Sequence, residues 1–305
     1  MANKSKSQYL NTKWFKKFFT WPLEGVVAWV IVNTLKLLPI DIASGLMGFI
    51  ARNLGPHLSV SNRARINIRN CFPEWPESRI KIVLRDMWEN CGRIIGEYPH
   101  IQNLDVSGND KRVEVIGVEH IESMRDDELP GIVFSAHLGN WDLLPMLAEP
   151  NGLSMNFVYR ALNSPLAEKV LRKAHGRLSP YLIPKSREGA IKMARVLKDG
   201  GHLAIMIDQK LNEGITIPFF GRPAKTTTAL AAFALRHRCP IIPARVERIA
   251  GATFRVIFYP PIQLPNSGDT VRDTELIMLN ANQIIENWIR DTPSQWLWLH
   301  RRWGK

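Results

Sequence analysis

The stretch GIVFSAHLGNWD, residues 131–142, combines a buried-type strand with polar residues that directly follow it. Its first six residues form a short apolar run that predicts a core strand, and the run ends at His137. Gly139 and Asn140 suit a turn, and Asp142 stands where a following helix would begin. In α/β proteins the functional residues gather where strands end, so this segment predicts both a fold class and a candidate site.

Similar segments recur along the chain and alternate with helical patterns. The predicted strands are RVEVIG (112–117), GIVFSA (131–136), MNFVYR (155–160), YLIP (181–184), HLAIMID (202–208), CPIIPARVER (239–248) and TFRVIFYPPI (253–262). The predicted helices between and after them cover 141–147, 166–177, 188–198, 227–237 and 271–291. Strands that alternate with helices indicate an α/β fold: a largely parallel mixed sheet flanked by helices.

The N-terminal region has a different composition. Residues 1–22 contain five lysines, six aromatic residues and no acid, and 23–55 reads as helical with a break at Pro39. The neutral stretch Gly25 to Leu35 is short against the roughly 20 apolar residues that a spanning helix needs. We therefore expect a membrane-associating helical segment over 1–55 that lies on or half inside a bilayer, followed by an α/β domain over 56–305. One marginal transmembrane helix and an ordinary basic surface helix remain alternatives.

The whole-chain composition limits the partners. The 305 residues carry a formal net charge of +12, which favours anionic partners such as lipid, phosphorylated substrates, an acidic protein or nucleic acid. No helix-turn-helix, zinc finger or RNA-binding aromatic signature occurs, so nucleic acid is not expected. The three cysteines, Cys71, Cys91 and Cys239, lie far apart without metal-ligand spacing, so we predict neither a disulfide framework nor a metal.

The histidine and the aspartate of the opening stretch suggest general-base chemistry. Imidazole accepts protons near neutral pH, and a carboxylate on its other ring nitrogen fixes the tautomer. If His137 lies in the turn, Asp142 can reach back to it from the helix. The chain has no GxSxG elbow, Walker loop or HExxH motif, so the proton would come from the substrate's own hydroxyl. A hydrogen-bonded structural histidine is the alternative.

Three further segments place polar groups at or near strand ends. Arg160 ends a second predicted strand and could bind phosphate, with a surface ion pair as the alternative. Asp208 and Gln209 end a third, with a turn and helix cap as the alternative. The stretch TIPFFGRPAKT, 216–226, carries Arg222 and Lys225 and suits an acyl chain beside an anionic head group, although it could be a hairpin.

In order, these segments resemble the glycerolipid acyltransferase superfamily. The HxxxxD block corresponds to His137 through Asp142, the arginine block to MNFVYR, and the proline-containing strand to IIPA at 241–244. The superfamily's EGTR block is absent, and DQK stands there instead. The segments that together resemble the late acyltransferases of lipid A biosynthesis, the lauroyl/myristoyl family, are CFPE (71–74), SAHLGNWD (135–142), VYRALNSP (158–165), PFFGRPAKT (218–226) and QWLWLHRRW (295–303).

This resemblance implies a specific reaction. A fatty acyl group would move from acyl carrier protein to the hydroxyl of a 3-hydroxyacyl chain on a lipid A precursor, a phosphorylated glucosamine disaccharide. His137 would be the base and Asp142 its orienting partner, with Arg160, Asp208, Gln209, Arg222 and Lys225 as substrate-binding candidates. The resemblance implies no cofactor, and it implies work at the cytoplasmic face of the inner membrane.

Several alternatives stay open at this point. The acceptor could be another phospholipid or glycolipid, including a mannosylated inositol lipid. A thioesterase would use water in place of the acceptor, and a silent membrane scaffold would use no chemistry at all. We expect the terminal WLWLHRRW to pack at the membrane side, with contact of residues 300–302 with head groups as the alternative.

Overall fold

The computed structural model describes residues 20–104, 112–148, 152–153, 155–176 and 181–304. Within these residues, four α-helices precede the first strand. The helices are α1 Trp21–Lys36, α2 Ile40–Leu54, α3 Ser61–Cys71, α4 Glu77–Glu97, α5 Val118–Asp126, α6 Leu144–Ala148, α7 Pro165–His175, α8 Arg187–Lys198, α9 Ala229–His237 and α10 Thr270–Asp291. The strands are β1 Val113–Ile116, β2 Gly131–Ser135, β3 Met155–Tyr159, β4 Leu182–Pro184, β5 His202–Met206, β6 Ile215–Phe219, β7 Arg222–Thr226, β8 Ile241–Ala250 and β9 Thr253–Phe258. Short 3-10 helices cover Gly55–His57, Tyr98–Asn103, Trp141–Leu143 and Pro293–Gln295.

Within the described part of the chain, seven strands form one mixed sheet in the order β1-β9-β8-β2-β5-β3-β4. All neighbouring pairs are parallel except β8 and β9, which are antiparallel. The predicted largely parallel mixed sheet flanked by helices is therefore confirmed. The two strands beside β2 are β8 and β5, which come much later in the chain. This arrangement brings distant segments to the end of β2.

Both faces of the sheet are covered. Side chains alternate along β2, so Ile132 and Phe134 join one core cluster and Val133 joins the other. The first cluster contains buried residues of α10, including Trp288, which stacks on Phe134 at a ring separation of 6.2 Å. A strand buried on both faces needs a continuous apolar run, which explains the composition of GIVFS.

The N-terminal part of the described chain is helical, with the predicted break at Pro39. Helix α2 packs closely against α4, because a Cβ at Gly96 would lie only 2.3 Å from the backbone oxygen of Ala43. The first nineteen residues, which hold all five of these lysines and five of the six aromatic residues, lie outside the described residues. Among the residues that are described, no helix combines the length and the hydropathy needed to cross a membrane.

Large apolar side chains are exposed on both N-terminal helices. On α1 they follow helical spacing, and on α2 they do so again; they are Leu23, Val26, Val27, Trp29, Val30, Ile42, Leu46, Phe49 and Ile50. We call this set the apolar surface. Exposed large apolar side chains that recur at helical spacing make the apolar surface a candidate contact with lipid or protein.

The stretch 216–226 forms a hairpin. Strands β6 and β7 pair antiparallel, and the turn places Phe220 and Gly221 at positive φ. The hairpin lies on α10, where Asn282 donates to the Pro218 oxygen at 2.9 Å. Phe219 is fully buried and its ring lies 5.9 Å from the ring of Trp296. The apolar residues of this segment therefore pack into the protein. The hairpin, which the sequence analysis gave as the alternative for 216–226, is the observed structure.

Candidate active site

Sheet register brings His137 and Asp208 together. Strands β2 and β5 are parallel neighbours, with Ser135 opposite Met206. The pairing continues past the strand ends, because the Ile207 N–H donates to the Ser135 oxygen at 3.2 Å. His137 and Asp208 each lie two positions beyond the end of their strand. The continued pairing therefore places them side by side at the carboxyl edge of the sheet.

Three hydrogen bonds fix this pair. The Nδ1 of His137 lies 2.7 Å from Oδ1 of Asp208, and the His137 backbone N–H donates to Oδ2 at 3.0 Å. The Nε1–H of Trp296 also donates to Oδ2, at 2.8 Å. Because an ionised carboxylate only accepts, Nδ1 carries the ring proton and Nε2 keeps its lone pair. An imidazole in this tautomer is ready to act as a base at Nε2.

The aspartate is fully buried yet ionised. Burial on its own raises the pKa of Asp208, but the charge and hydrogen bonds of His137, with His300 nearby, lower that pKa well below its ordinary value. An ionised Asp208 would stabilise the imidazolium that forms when His137 takes a proton.

The pairing differs from the sequence prediction. The carboxylate on Nδ1 belongs to Asp208, whereas we expected Asp142 there and counted Asp208 among the substrate-binding candidates. Asp142 lies in the 3-10 helix Trp141–Leu143, where its backbone N–H donates to Oδ1 of Asn140 at 3.3 Å. Burial, and then the negative charge of Asp142, raise the pKa of Tyr98, so the Asp142 carboxylate lies close to that phenol. The carboxylate that orients His137 comes from the neighbouring strand instead.

Gln209 and His300 complete the group around Nε2. The Gln209 side-chain nitrogen lies 3.2 Å from Nε2 of His137 and 3.4 Å from Nε2 of His300. Burial, together with the nearby His137, lowers the pKa of His300 to about 4, although Asp208 acts in the opposite direction. His300 is therefore neutral at neutral pH, and an amide N–H can donate to each imidazole. Trp141 stands on another side of His137, with its ring 5.0 Å away.

The turn that carries His137 is bonded to the C-terminal segment. The His137 oxygen accepts from the Leu297 N–H at 3.1 Å, and the Gly139 N–H donates to the Gln295 oxygen at 3.2 Å. Gly139 has φ +57, and a Cβ there would lie 2.5 Å from the Val246 oxygen of β8. Only glycine combines this conformation with such a close approach.

The remaining predicted residues lie in different surroundings. Arg160 is exposed at the end of β3, where its charge adds to the burial that lowers the pKa of His300. Lys225 is exposed and donates to the Gly214 oxygen at 3.1 Å. Arg222 lies over the Trp303 ring at 5.2 Å. The structure thus groups His137, Asp208 and Gln209, with Arg160 nearby, and places the two cations of the hairpin against other parts of the protein.

Sequence reasoning missed the role of the C-terminal segment. Trp296 and Trp298 are fully buried inside the protein, so the expectation that this segment packs at the membrane side is wrong for them. Arg302 is also fully buried and donates to Oγ1 of Thr226 at 2.8 Å. The run QWLWLHRRW did contain a signal for this role. Its tryptophan N–H groups and its histidine need hydrogen-bond partners when they are buried.

Three side chains of the site lie close enough together to be compared with a metal site. Ligand atoms of His137, Asp208 and His300 lie within 4.8 Å of one another. However, both Asp208 oxygens already accept hydrogen bonds from His137 and Trp296. This bonding pattern orients an imidazole for proton transfer, and it leaves the carboxylate poorly disposed to bind a cation.

The structure thus places a histidine, hydrogen-bonded to a buried aspartate, at the carboxyl edge of an α/β sheet, an arrangement suited to general-base chemistry. The chain matches the family described as bacterial lipid A biosynthesis acyltransferase over residues 12–305. The protein therefore belongs to this family of acyl-transferring enzymes, which confirms the resemblance stated from the sequence.

Named relatives agree with this assignment at low identity. The chain is 26% identical over 299 residues to the lipid A biosynthesis lauroyltransferase of Escherichia coli, covering 93% of this chain and 91% of the relative. It is 23% identical over 242 residues to a lipid A biosynthesis acyltransferase of Haemophilus influenzae, covering 78% and 73%. It is also 22% identical over 286 residues to the phosphatidylinositol mannoside acyltransferase of Mycolicibacterium smegmatis, covering 88% of each.

Among solved structures, the chain is similar to the 1-acyl-sn-glycerophosphate acyltransferase of Thermotoga maritima. The TM-score is 0.36 at 12% identity, with 86% of this chain and 98% of that chain covered. A likeness at this level carries no argument about function.

Proposed function

We propose that the protein transfers a fatty acyl group from an acyl carrier protein thioester to the hydroxyl of a 3-hydroxyacyl chain of a lipid A precursor. The observation that carries this proposal is the hydrogen bond from His137 Nδ1 to the buried Asp208, which leaves Nε2 available as a base. Membership of the lipid A acyltransferase family and the likeness to the Escherichia coli lauroyltransferase support the acceptor.

In the proposed reaction the acceptor hydroxyl replaces the Gln209 amide at Nε2 of His137. As the hydroxyl oxygen attacks the thioester carbonyl carbon, its proton moves to Nε2, because a free alcohol is a poor nucleophile at neutral pH. The tetrahedral intermediate then collapses, the C–S bond breaks, and the imidazolium returns the proton to the leaving thiolate. The products are an ester and a free thiol, and no cofactor takes part.

The charged residues have proposed roles in this reaction. Asp208 stabilises the imidazolium, and general-base help of this kind is commonly worth about 10²–10⁴-fold. Gln209 is close enough to donate to the reacting carbonyl once it is displaced. Arg160 binds a phosphate of the acceptor, and Arg222 and Lys225 attract its anionic head group.

We further propose that the protein works at the cytoplasmic face of the inner membrane. The apolar surface of α1 and α2 supports this location, because it would contact lipid acyl chains. The lysines of residues 1–19 and the net charge of +12 would add attraction to anionic head groups and to an acidic carrier protein. Attachment by helices lying on the bilayer fits the short neutral stretch of α1.

A second acceptor is favoured by one comparison. The likeness to the phosphatidylinositol mannoside acyltransferase extends over 88% of this chain, about as far as the likeness to the lipid A enzymes. A mannosylated inositol lipid also presents hydroxyls and an anionic phosphate at a membrane, so the same base would serve.

One assay tests these proposals. Purified protein is mixed with acyl carrier protein thioester and either a lipid A precursor, a mannosylated inositol lipid or no acceptor, and products are followed by mass spectrometry. Acyl product with the lipid A precursor supports the main proposal, and product with the inositol lipid alone supports the second. Equal thioester loss without any acceptor indicates hydrolysis and contradicts both.

The base is tested in the same assay by the substitution His137→Ala. We expect turnover to fall by about 10²–10⁴-fold while the circular dichroism spectrum is retained. Turnover that stays near the wild-type level would show that another group removes the proton.

A further inference from the structure

A buried carboxylate outside the catalytic pair holds the turn that carries His137. Glu97 is the last residue of α4 and has no exposed surface. Its Oε1 accepts from Oγ of Ser44 at 2.7 Å and from Nη1 of Arg248, and its Oε2 accepts from Nη2 of Arg248 at 2.9 Å. A fourth donor, Nδ2 of Asn140, lies 2.8 Å from Oε2. The carboxylate is thus fully bonded without water.

Asn140 connects this carboxylate to the active site. It is fully buried, and it follows His137 by three residues in the same turn. While its Nδ2 donates to Glu97, its Oδ1 accepts from the backbone N–H of Asp142, which begins the next helical turn. The amide therefore fixes the far end of the turn, and the hydrogen bond from the His137 N–H to Asp208 fixes the near end.

Arg248 supports the same turn by a second route. Its Nε donates to Oδ1 of Asn90 at 2.8 Å, and Nδ2 of Asn90 donates to the Gly139 oxygen at 3.0 Å. The Arg248 backbone N–H donates to the side-chain Oε1 of Gln295. The backbone oxygen of Gln295 in turn accepts from the Gly139 N–H. The ion pair between Glu97 and Arg248 is thus connected by hydrogen bonds to both Asn140 and Gly139 of the turn.

We propose that Glu97 is a positioning residue for the base, acting on His137 through Asn140; this rests on the proposed function of His137. A buried ion pair is a weak source of net stability, because desolvation of both charges offsets their attraction. It does impose a defined geometry on the groups it bonds. Proton transfer needs the base within hydrogen-bond reach of the hydroxyl, and a displacement of about 1 Å can cost about 10²-fold in rate.

The tests are two substitutions that cut the link from either side. Asn140→Ala removes the contact to the turn and leaves the ion pair between Glu97 and Arg248 intact. Glu97→Gln keeps the shape and removes the charge. We expect each to lower kcat by about 30-fold or more while KM changes by less than about threefold, because the base is displaced and binding is not.

The matched control is Asn282→Ala. Like Asn140, Asn282 is a buried asparagine; its Nδ2 donates to the backbone oxygen of Pro218 rather than to a carboxylate, and it lies on α10 under the hairpin. This variant should lower the thermal midpoint while kcat stays within about threefold of the wild type. If both variants lost kcat equally, general destabilisation of the fold would explain the effect of Asn140→Ala. That result would overturn the proposal.

The double variant tests whether Glu97 acts through Asn140. If it does, the kcat of the double variant will be close to that of the slower single variant. Losses that multiply would show independent roles and contradict the proposal. Should Glu97→Gln fail to fold, Asn140→Ala and its control still decide the question.

A spectroscopic measurement separates this proposal from the proposed function. In ¹⁵N-histidine-labelled protein, the Nδ1 proton of His137 should give a downfield signal that Asn140→Ala shifts or broadens and Asn282→Ala does not. If the wild type transfers no acyl group but the signal responds as expected, the reaction proposal fails and the positioning proposal stands. If transfer proceeds normally and neither the signal nor kcat responds to Asn140→Ala, the positioning proposal fails alone.

Discussion

Acidification should destabilise the protein through His300 before it protonates Asp208. The pKa of this imidazole is lowered from 6.5 to about 4 by burial and by the nearby His137. In the unfolded chain the imidazole recovers its ordinary pKa. Between these two values the unfolded state therefore binds more protons than the folded state, and the free energy of unfolding decreases as the pH falls.

The size of the effect follows from the two pKa values. A difference from 6.5 to about 4, at about 1.4 kcal/mol per pKa unit, corresponds to about 3 kcal/mol in total. Most of this, about 2.5 kcal/mol, is lost between about pH 7.5 and about pH 4.5. The stability of a domain is typically about 5–15 kcal/mol, so the loss is readily measured.

Other groups also titrate as the pH falls, and a matched variant removes them from the comparison. The lowered pKa of Asp208 makes its contribution disappear below about pH 4, outside the window. Burial raises the pKa of Glu286, which acts with the opposite sign. The substitution His300→Gln keeps an acceptor for the Gln209 amide and cannot titrate. Subtracting its pH dependence from that of the wild type isolates the imidazole.

The assay is urea unfolding followed by tryptophan fluorescence, with both proteins in the same detergent at each pH. The wild type should lose about 2.5 kcal/mol more than His300→Gln between about pH 7.5 and about pH 4.5. Parallel curves for the two proteins would refute the reasoning, because they would mean that His300 takes up its proton as readily in the folded state as in the unfolded chain.

Three further outcomes are expected. In the acyl-transfer assay, Asp208→Asn should lower kcat by about 10²–10⁴-fold, because His137 loses its fixed tautomer. Asp142→Asn should lower kcat by less than about tenfold. The reverse order would identify Asp142 as the orienting carboxylate. Arg160→Lys should raise KM for the phosphorylated acceptor by about tenfold, because an ammonium lacks the planar fork, and unchanged steady-state constants would make Arg160 structural. Trp29→Glu should weaken sedimentation with anionic vesicles by about tenfold or more, since Trp29 is 58% exposed on the apolar surface, and undiminished binding would show that other residues hold the protein to lipid.

The elements of this fold were predictable because their signals are local. A buried strand such as GIVFS needs a continuous apolar run, and the residue that interrupts it marks the strand end. Helix boundaries follow from residues such as Pro39, which separates α1 from α2. These features depend on residues a few positions apart, so they are visible in the sequence.

The partner of His137 was not predictable from spacing, because it depends on strand order. Asp142 is five residues away in the chain, and Asp208 is seventy-one residues away. The distant residue becomes the neighbour because β5 pairs directly with β2 while β3 and β4 lie beyond it. Nothing in the sequence of either strand specifies this order. The spacing of the motif therefore suggested Asp142, whereas the structure places Asp208 on Nδ1 of His137.

The C-terminal segment shows why a site of this kind uses so much of the chain. Proton transfer needs a fixed tautomer, and fixing it requires an ionised carboxylate that is kept from water yet remains fully bonded. Trp296 supplies one of those bonds from the far end of the sequence, and Gln295 and Leu297 hold the turn on either side of it. Removal of the indole N–H, as in Trp296→Phe, would leave Asp208 with one donor fewer and raise its pKa. The activity of that variant should then fall toward acidic pH earlier than that of the wild type, and an unchanged pH profile would show that the tryptophan only fills space.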